Sequence, residues 1–454
     1  MAQQAPSAPN ALPTPTPQQE SLAAGYVALT TCSAVFTARR MGAERTLESI
    51  RENELRGVYP DIDRIVQTQS TFDDGVSFSA GWDRNMPARR AVLDLRTDGC
   101  TLEPVGSGVA SRDHVHHAPG RTEVVFRPVR LHAPWPLGDR DALARPARGA
   151  ETDRLDGAIR AAFDGGFGQS TNTTAVVIVQ NGRIIREQYK DGFGIHVPQR
   201  TWSVAKSIAA TIVGSAAHRG EADVAAPAAI ANWQRDNDPR RAITLDQLLR
   251  MASGLTSDTA GNRTDAIYFG GTTVDEQAPG WPLIAPPGST FRYANNDTLL
   301  AVLAISPTFA QHPPRVFFES INMHATVAET DWRGNYVLSS QVWSTARDLA
   351  RFGMLYLNDG VWNGQRILPE GWRTYVTTPS GPQPPGEFGY GASFWLLNRS
   401  EGVPPDTFAA FGNRGQYVVI VPSRNIVIVR RGEDPAGARF DIAAFTRELL
   451  AALE

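Results

Sequence analysis

Two pairs of short apolar runs, far apart in the chain, set the strongest limit on the fold. Residues 174–180 and 183–189 flank Asn181-Gly182, the dipeptide most typical of a two-residue β-hairpin turn. Residues 416–421 and 426–430 flank a second turn, and much of the chain between the two hairpins has helical apolar spacing. We expect the hairpins to pair in one antiparallel sheet, with the helical insert packed beside it.

The predicted fold class is therefore α+β: an antiparallel sheet flanked by helices, with a mainly helical subdomain. We assign this domain to residues 151–454. It follows an N-terminal α+β segment over 22–150, in which 41–55 is predicted as a helix and 124–130 as a strand. A Pro-rich connector precedes the boundary, and a Pro/Gln-rich tail over 1–21 is expected to be disordered.

Composition excludes several classes of partner. The formal net charge is −3, and no basic run with interleaved aromatic residues occurs, so nucleic acid is not expected as a partner. No stretch of eighteen apolar residues predicts a membrane span. The two cysteines, Cys32 and Cys100, could form a disulfide, which would favour a periplasmic or secreted location over the cytoplasm, or they could be two separate buried thiols. The sequence does not specify an oligomeric state.

Lysine usage points to a candidate nucleophile. The 44 basic residues include only two lysines, Lys190 and Lys206. A desolvated lysine can lose its proton and act as a base, which arginine cannot do. Lys206 follows Ser203 by three residues, so a helix starting there would bring the amine close to the hydroxyl. The alternative is a chance spacing, because serine is common. Lys190 is predicted to be an ordinary turn residue.

Two further motifs could complete a site. Tyr293 and Asn295 form a Tyr-x-Asn pair that can present a phenol and an amide on one side of a loop, although such a pair is often structural. The glycine-rich entry to the last hairpin begins at Gly412, where the backbone could approach a ligand closely. The N–H groups of Asn413 and Ser203 could then hold an oxyanion, and a simple glycine turn is the alternative.

The order of these motifs resembles that of the serine β-lactamase-like, or penicillin-recognising, hydrolases. Ser-x-x-Lys follows the first hairpin, Tyr-x-Asn comes ninety residues later, and the glycine-rich strand entry lies near the end. Residues 248–255, 344–353 and 412–416 are most similar to the branch of 6-aminohexanoate-dimer hydrolases and carboxylesterases. The resemblance covers about residues 150–454.

The resemblance implies a metal-free amidase or esterase without a cofactor, acting on a small-molecule amide or ester. Ser203 would be the acylated nucleophile, Lys206 its base and Tyr293 the proton relay to the leaving group. Asn295 and Tyr268 would contact the substrate. A catalytically silent binding protein on the same fold remains the alternative from another functional class.

One departure from the family pattern concerns the last active-site strand. β-Lactamases and penicillin-binding proteins carry Lys-Thr-Gly there, and the ammonium helps to bind the substrate carboxylate. This chain has Gly412 to Gly415 instead, where Arg414 is the candidate replacement charge. A β-lactamase or D-Ala-D-Ala peptidase is therefore an alternative to a less specialised amide or ester hydrolase.

Other sites have weaker signals. The cluster of His114, His116 and His117 has no carboxylate or cysteine at ligand spacing, so no metal site is predicted. No Gly-x-Ser-x-Gly motif of an α/β-hydrolase occurs, and neither does a phosphate-binding glycine loop.

Overall fold

The computed structural model describes residues 14–65, 70–73, 75–107, 132–143, 150–256 and 264–453. The α-helices of this part of the chain are α1 Pro17–Arg40, α2 Leu47–Ile50, α3 Pro60–Ile65, α4 Ala150–Phe163, α5 Val204–His218, α6 Leu245–Leu249, α7 Asp265–Tyr268, α8 Val274–Gln277, α9 Asn295–Ile305, α10 Pro314–Ser320, α11 Ala346–Leu357, α12 Trp372–Thr377 and α13 Ile442–Ala452. The strands are β1 Ser70–Phe72, β2 Ser77–Ala80, β3 Arg89–Asp94, β4 Gly99–Leu102, β5 Thr173–Gln180, β6 Arg183–Tyr189, β7 Gln199–Arg200, β8 Val327–Ala328, β9 Val342–Ser344, β10 Val361–Trp362, β11 Gln365–Arg366, β12 Gly389–Tyr390, β13 Trp395–Leu396, β14 Phe408–Gly412, β15 Gln416–Val421 and β16 Ile426–Gly432.

The main sheet has seven antiparallel strands in the order β12-β13-β14-β15-β16-β5-β6. The first hairpin turns at Asn181 and Gly182, whose φ angles of 49° and 75° are those of a primed turn. Strand β16 pairs with β5 over its whole length, with Ile428 opposite Ile178. The predicted pairing of the early and late hairpins is confirmed.

Helices cover both faces of this sheet because its strands are apolar on both sides. One set of alternate residues packs against α4 and α13, as Ile178 and Ile428 do. The other set, which includes Val177 and Val427, packs against α5 and α11. The α+β fold class predicted from the sequence is thereby confirmed, and the helical part from α6 to α10 lies in sequence between the two hairpins.

The N-terminal part differs from the prediction. A 24-residue helix, α1, begins at Pro17 with a capping box on Thr16, so the end of the expected disordered tail is helical. The helix predicted over 41–55 is wrong as one continuous element, because α1 ends at Arg40 and two short helical segments follow. The Thr/Ser/Ala-rich sequence of α1 has little amphipathic contrast, since the helix is buried on nearly all sides. The strand predicted over 124–130 lies outside the described residues.

Helix α1 packs across a four-stranded sheet, β1-β2-β3-β4. Cys32 on the helix and Cys100 on β4 form a disulfide. By length and composition α1 could cross a membrane, but 94% of its most apolar window is buried within the protein. That environment is the one expected for a core helix of a globular domain.

Buried polar groups tie the N-terminal part to the rest of the molecule. The carboxylate of Glu329 accepts hydrogen bonds from the Ser33 hydroxyl, the Cys100 backbone N–H and the Trp343 indole. Burial raises the pKa of Glu329 to about 7. One hydrophobic core continues from α1 into α5 and the main sheet. The boundary near residue 150 stays a prediction, and residues 144–149 are outside the described ranges.

Candidate active site

Ser203 is the N-cap residue of α5, the Ala- and Ile-rich helix buried against the main sheet. The preceding residue, Trp202, has a φ of 49°, in the left-handed region that non-glycine residues rarely adopt. This turn brings the chain sharply into the helix. Backbone strain of this kind is found where surrounding packing holds a functional segment in position.

Lys206 lies one turn into α5, on the same face as Ser203. Its Nζ is 2.8 Å from Ser203 Oγ, 2.6 Å from Asn295 Oδ1 and 2.9 Å from the carbonyl oxygen of Ser339. The residue is only 1% exposed. Three partners match the hydrogen-bonding capacity of a lysine amine. If the amine is neutral, its lone pair can face Ser203 while its two N–H groups donate to Asn295 and Ser339.

Burial lowers the pKa of Lys206 to about 7, and the positive charge of Arg200 contributes in the same direction. A substantial fraction of the amine is therefore neutral near pH 7. A neutral amine in contact with a serine hydroxyl can accept its proton, which an ordinary surface lysine cannot do at this pH.

Tyr293 lies close to the Ser203–Lys206 pair, with Lys206 Nζ 5.2 Å from the centre of its ring. Burial raises the pKa of Tyr293 to about 12, and the side chains of Ser203 and Trp395 act in the opposite direction as polar neighbours. The centres of the Tyr293 and Trp395 rings are 5.4 Å apart. The phenol is thus protonated at neutral pH and lies near the serine.

Gly412 ends β14 where the sheet meets the start of α5. A Cβ at this position would lie 2.4 Å from the Thr201 carbonyl oxygen and 3.1 Å from the Val204 nitrogen. Only glycine allows so close an approach of strand and helix. Asn413 follows and is exposed, with its Oδ1 accepting from the Arg414 N–H at 2.9 Å. Among the described residues, no backbone carbonyl accepts from the N–H of Ser203 or of Asn413.

Tyr268 lies beside the site and is nearly buried. It is 6% exposed, its hydroxyl is 2.6 Å from Ser339 Oγ, and burial raises its pKa. Since the Ser339 carbonyl contacts Lys206, Tyr268 reaches the lysine through Ser339. The substrate contact that the family resemblance implies for Tyr268 stays a prediction.

Arg414 also differs from its expected position. Its guanidinium is paired with Glu433 at 2.9 Å, both side chains are nearly inaccessible, and it donates to the Asn53 carbonyl of the N-terminal part. The arginine therefore points into the protein and cannot supply charge to a substrate on β14.

Sequence reasoning missed three residues of the site: Ser339, Trp395 and Arg200. Ser339 and Trp395 lie more than a hundred residues from Ser203, with no motif spacing that could have identified them. Arg200 precedes Ser203 by three residues and stacks on the Trp202 ring at 3.8 Å. A basic residue beside an apolar turn is a weak signal without the fold.

The histidine cluster at 114–117 lies outside the described residues. Within the described ranges, no group of three or more His, Cys, Asp or Glu side chains is arranged to hold a metal ion.

An antiparallel sheet with a Ser-x-x-Lys helix starting at its edge is the architecture of the β-lactamase-like hydrolases. The sequence model of the Beta-lactamase family matches residues 155–453, about two thirds of the chain. The chain therefore belongs to the Beta-lactamase family and is a hydrolase of that family. The predicted membership is confirmed.

Individual relatives are distant. The chain is 22% identical over 304 residues to the 6-aminohexanoate-dimer hydrolase of Paenarthrobacter ureafaciens, covering 59% of this chain and 74% of the relative. Its fold is similar to that of a candidate 6-aminohexanoate-dimer hydrolase from Bacillus anthracis, with a TM-score of 0.54, 24% identity and coverage of 69% and 88%. A class C β-lactamase gives a TM-score of 0.52 at 14% identity, with coverage of 68% and 99%. At these identities the solved structures show a shared fold.

Proposed function

We propose that this protein is a serine acyl hydrolase that cleaves an amide or ester bond of a small molecule through an acyl-enzyme on Ser203. The observation that carries the proposal is the contact between Ser203 and Lys206. A buried amine with a pKa of about 7 lies 2.8 Å from the hydroxyl. Such a pair supplies a nucleophile and its base without any other group.

The reaction would have two half-reactions. In acylation, Ser203 Oγ attacks the substrate carbonyl carbon while its proton passes to Lys206. Tyr293, which lies near the serine, would then relay a proton to the departing amine or alcohol. In deacylation, water gives up a proton to the same groups and attacks the ester carbonyl, and Ser203 regains its hydrogen as the acid leaves.

The negative charge that develops on the carbonyl oxygen would be held by two backbone N–H groups. Ser203 supplies one at the start of α5, where helix N–H groups lack backbone partners. Asn413 supplies the other, just after the close approach of Gly412 to the helix. Asn295 would keep Lys206 oriented through its 2.6 Å contact and would also contact the substrate.

Amide hydrolysis is supported by the named relative, a 6-aminohexanoate-dimer hydrolase. β-Lactam or D-Ala-D-Ala turnover is the second candidate because a class C β-lactamase shares the fold. The inward ion pair of Arg414 counts against it, since a substrate carboxylate would find no cation from that turn. A silent binding protein would have no need of a buried lysine with a lowered pKa, which is costly to maintain.

The test is covalent labelling with a fluorophosphonate, combined with hydrolysis of p-nitrophenyl acetate and butyrate. We expect a one-to-one adduct on Ser203 that is abolished in Ser203→Ala and retained in Ser215→Ala, a matched serine later in the same helix. No adduct and no turnover across a pH series would leave the binding-protein alternative. A panel of linear amides, cyclic amides, esters and β-lactams then separates the hydrolase candidates.

We also propose a periplasmic or secreted location. The Cys32–Cys100 disulfide is of the kind that persists in oxidising compartments. Thiol titration of protein isolated from its native compartment would test this, because free thiols on both cysteines would contradict it.

A further inference from the structure

A row of aromatic rings begins at the reacting serine and extends away from it. We call Tyr293, Trp395, Phe411 and Phe388 the aromatic strip. Successive ring centres are 5.4, 5.6 and 5.2 Å apart, and the Trp395 and Phe411 rings are nearly parallel at 16°. All four residues are partly exposed. A contiguous row of aromatic rings that is partly open to solvent is typical of a binding surface.

The backbone fixes the direction of the strip. Trp395 on β13 is opposite Ala409 on β14, and Phe411 is two residues further along β14, so both rings project from the same face of the sheet. The buried ring of Tyr390 packs edge-on against Trp395 at 5.0 Å. The rings are therefore held in place before any ligand arrives, which reduces the entropic cost of binding.

The end of the strip nearest the chemistry is Tyr293. Its ring centre is 5.2 Å from Lys206 Nζ and 5.4 Å from the centre of the Trp395 ring, and Ser203 is close enough to affect its pKa. In the proposed reaction Tyr293 gives a proton to the departing group, so a surface that continues from Tyr293 lies on the leaving-group side of the scissile bond. The acyl group would be held on the opposite side of Ser203.

The chemistry of the strip is apolar and uncharged. The cation on the turn after β14, Arg414, faces the N-terminal part and is paired with Glu433. A carboxylate on the leaving group would lose hydration against the aromatic faces without gaining an ion pair from this turn, which is unfavourable. A phenyl ring or an alkyl group of similar size would bury apolar area there.

We propose that the aromatic strip is the leaving-group subsite, and that the preferred substrates release a neutral alcohol or amine carrying an aromatic ring or a comparably large apolar group. This inference rests on the proposed acyl-hydrolase function and deepens it by naming the substrate class on one side of the bond.

The experiment compares three butyrate esters with leaving groups of similar chemical reactivity: ethyl, 2-phenylethyl and 3-carboxypropyl. We expect kcat/KM of the wild type for the 2-phenylethyl ester to exceed that for the ethyl ester by about tenfold or more, as one well-placed apolar group gives. The 3-carboxypropyl ester should be no better than the ethyl ester. Phe411→Ala and Phe411→Leu should reduce the ratio of kcat/KM for the 2-phenylethyl ester to kcat/KM for the ethyl ester, the alanine variant more.

Phe309→Ala is the control, since Phe309 is a partly buried ring that packs on Tyr336 in the helical part, outside the strip. It should leave the ratio of the two neutral esters unchanged. Inhibition of the wild type by 2-phenylethanol, at concentrations where ethanol has no effect, tests the subsite without any variant. Equal kcat/KM values for the two neutral esters, or a 2-phenylethyl to ethyl ratio that is unchanged in both Phe411 variants, would overturn the proposed subsite. Fluorophosphonate labelling of the wild type would in that case still support the proposed hydrolase function. Loss of labelling in the wild type would instead overturn the proposed function.

Discussion

Replacing Lys206 by methionine should change how stability depends on pH. Lys206 is 1% exposed, and its pKa is lowered from 10.5 to about 7 in the folded protein. In the unfolded chain the amine returns to an ordinary lysine pKa, near 10.4. Between these two values the folded protein holds the neutral amine, whereas the unfolded chain holds the ammonium. Folding must release one proton in this window.

The sign follows from proton counting. The unfolded state binds more protons between about pH 7 and about pH 10.5, so the free energy of unfolding rises with pH there, by about 1.4 kcal/mol per unit for this group. The methionine variant lacks the titrating amine. Over the two units from about pH 7.5 to about pH 9.5, the free energy of unfolding of the wild type should therefore rise by about 3 kcal/mol more than that of Lys206→Met. The comparison isolates this group, because the contributions of distant titrating groups are the same in both proteins and cancel.

The assay is urea unfolding followed by tryptophan fluorescence, with the disulfide intact, for both proteins at both pH values. Lys190→Met is the control, since Lys190 is the other lysine and is exposed, and it should follow the wild type. Parallel pH dependence of the wild type and Lys206→Met would mean that the folded protein keeps the ammonium protonated. Lys206 could not then be the base at neutral pH, and the proposed mechanism would fail.

Three further predictions concern the same region. In wild type, kcat/KM should rise about tenfold per pH unit below pH 7 and level off above it, and a profile that is flat from pH 5 to 8 would contradict this. Lys206→Arg should lower kcat/KM by at least about a hundredfold at every pH, because a guanidinium cannot accept the proton. Gly412→Ala should lower kcat by about tenfold or more and also lower the melting temperature, because its Cβ would lie 2.4 Å from the Thr201 carbonyl and push the strand from the helix. Steady-state kinetics beside thermal unfolding checks both, and an unaltered kcat would contradict the prediction. Arg414→Met should destabilise the protein by about 3–5 kcal/mol, because Glu433 would stay buried without the cation it pairs with. Adding Glu433→Leu should restore part of that stability. Denaturant unfolding of the single and double variants measures both effects, and an unchanged midpoint in the single variant would argue against the buried pair.

Much of the fold could be predicted from local patterns. The Asn181-Gly182 turn and the apolar runs around it identified the first hairpin, and its pairing with the last one followed from both lying in one domain. Helix α11 begins after Thr345, whose side-chain oxygen accepts a hydrogen bond from the Asp348 N–H as an N-cap, a role typical of threonine. Helix α1 was missed because it is buried on nearly all sides, so the polar face that usually reveals a helix is absent.

The candidate site divides in the same way. Ser203 and Lys206 are joined by the geometry of one helical turn, and Tyr293 and Asn295 by a short motif, so spacing alone could suggest them. Trp395 and Ser339 belong to distant segments and enter the site only when the sheet and the helical part pack together. Arg414 looked like a candidate for substrate charge in the sequence, but its partner Glu433 is available only in the folded chain.

The sequence by itself determined which groups could react and at what spacing, because a helix turn and a hairpin turn depend on a few neighbouring residues. Only the tertiary structure decided whether those groups are chemically competent. The pKa of Lys206 is lowered because helices and strands from distant parts of the chain exclude water around it. Desolvation is a property of the whole packed interior, and no local stretch of sequence contains it.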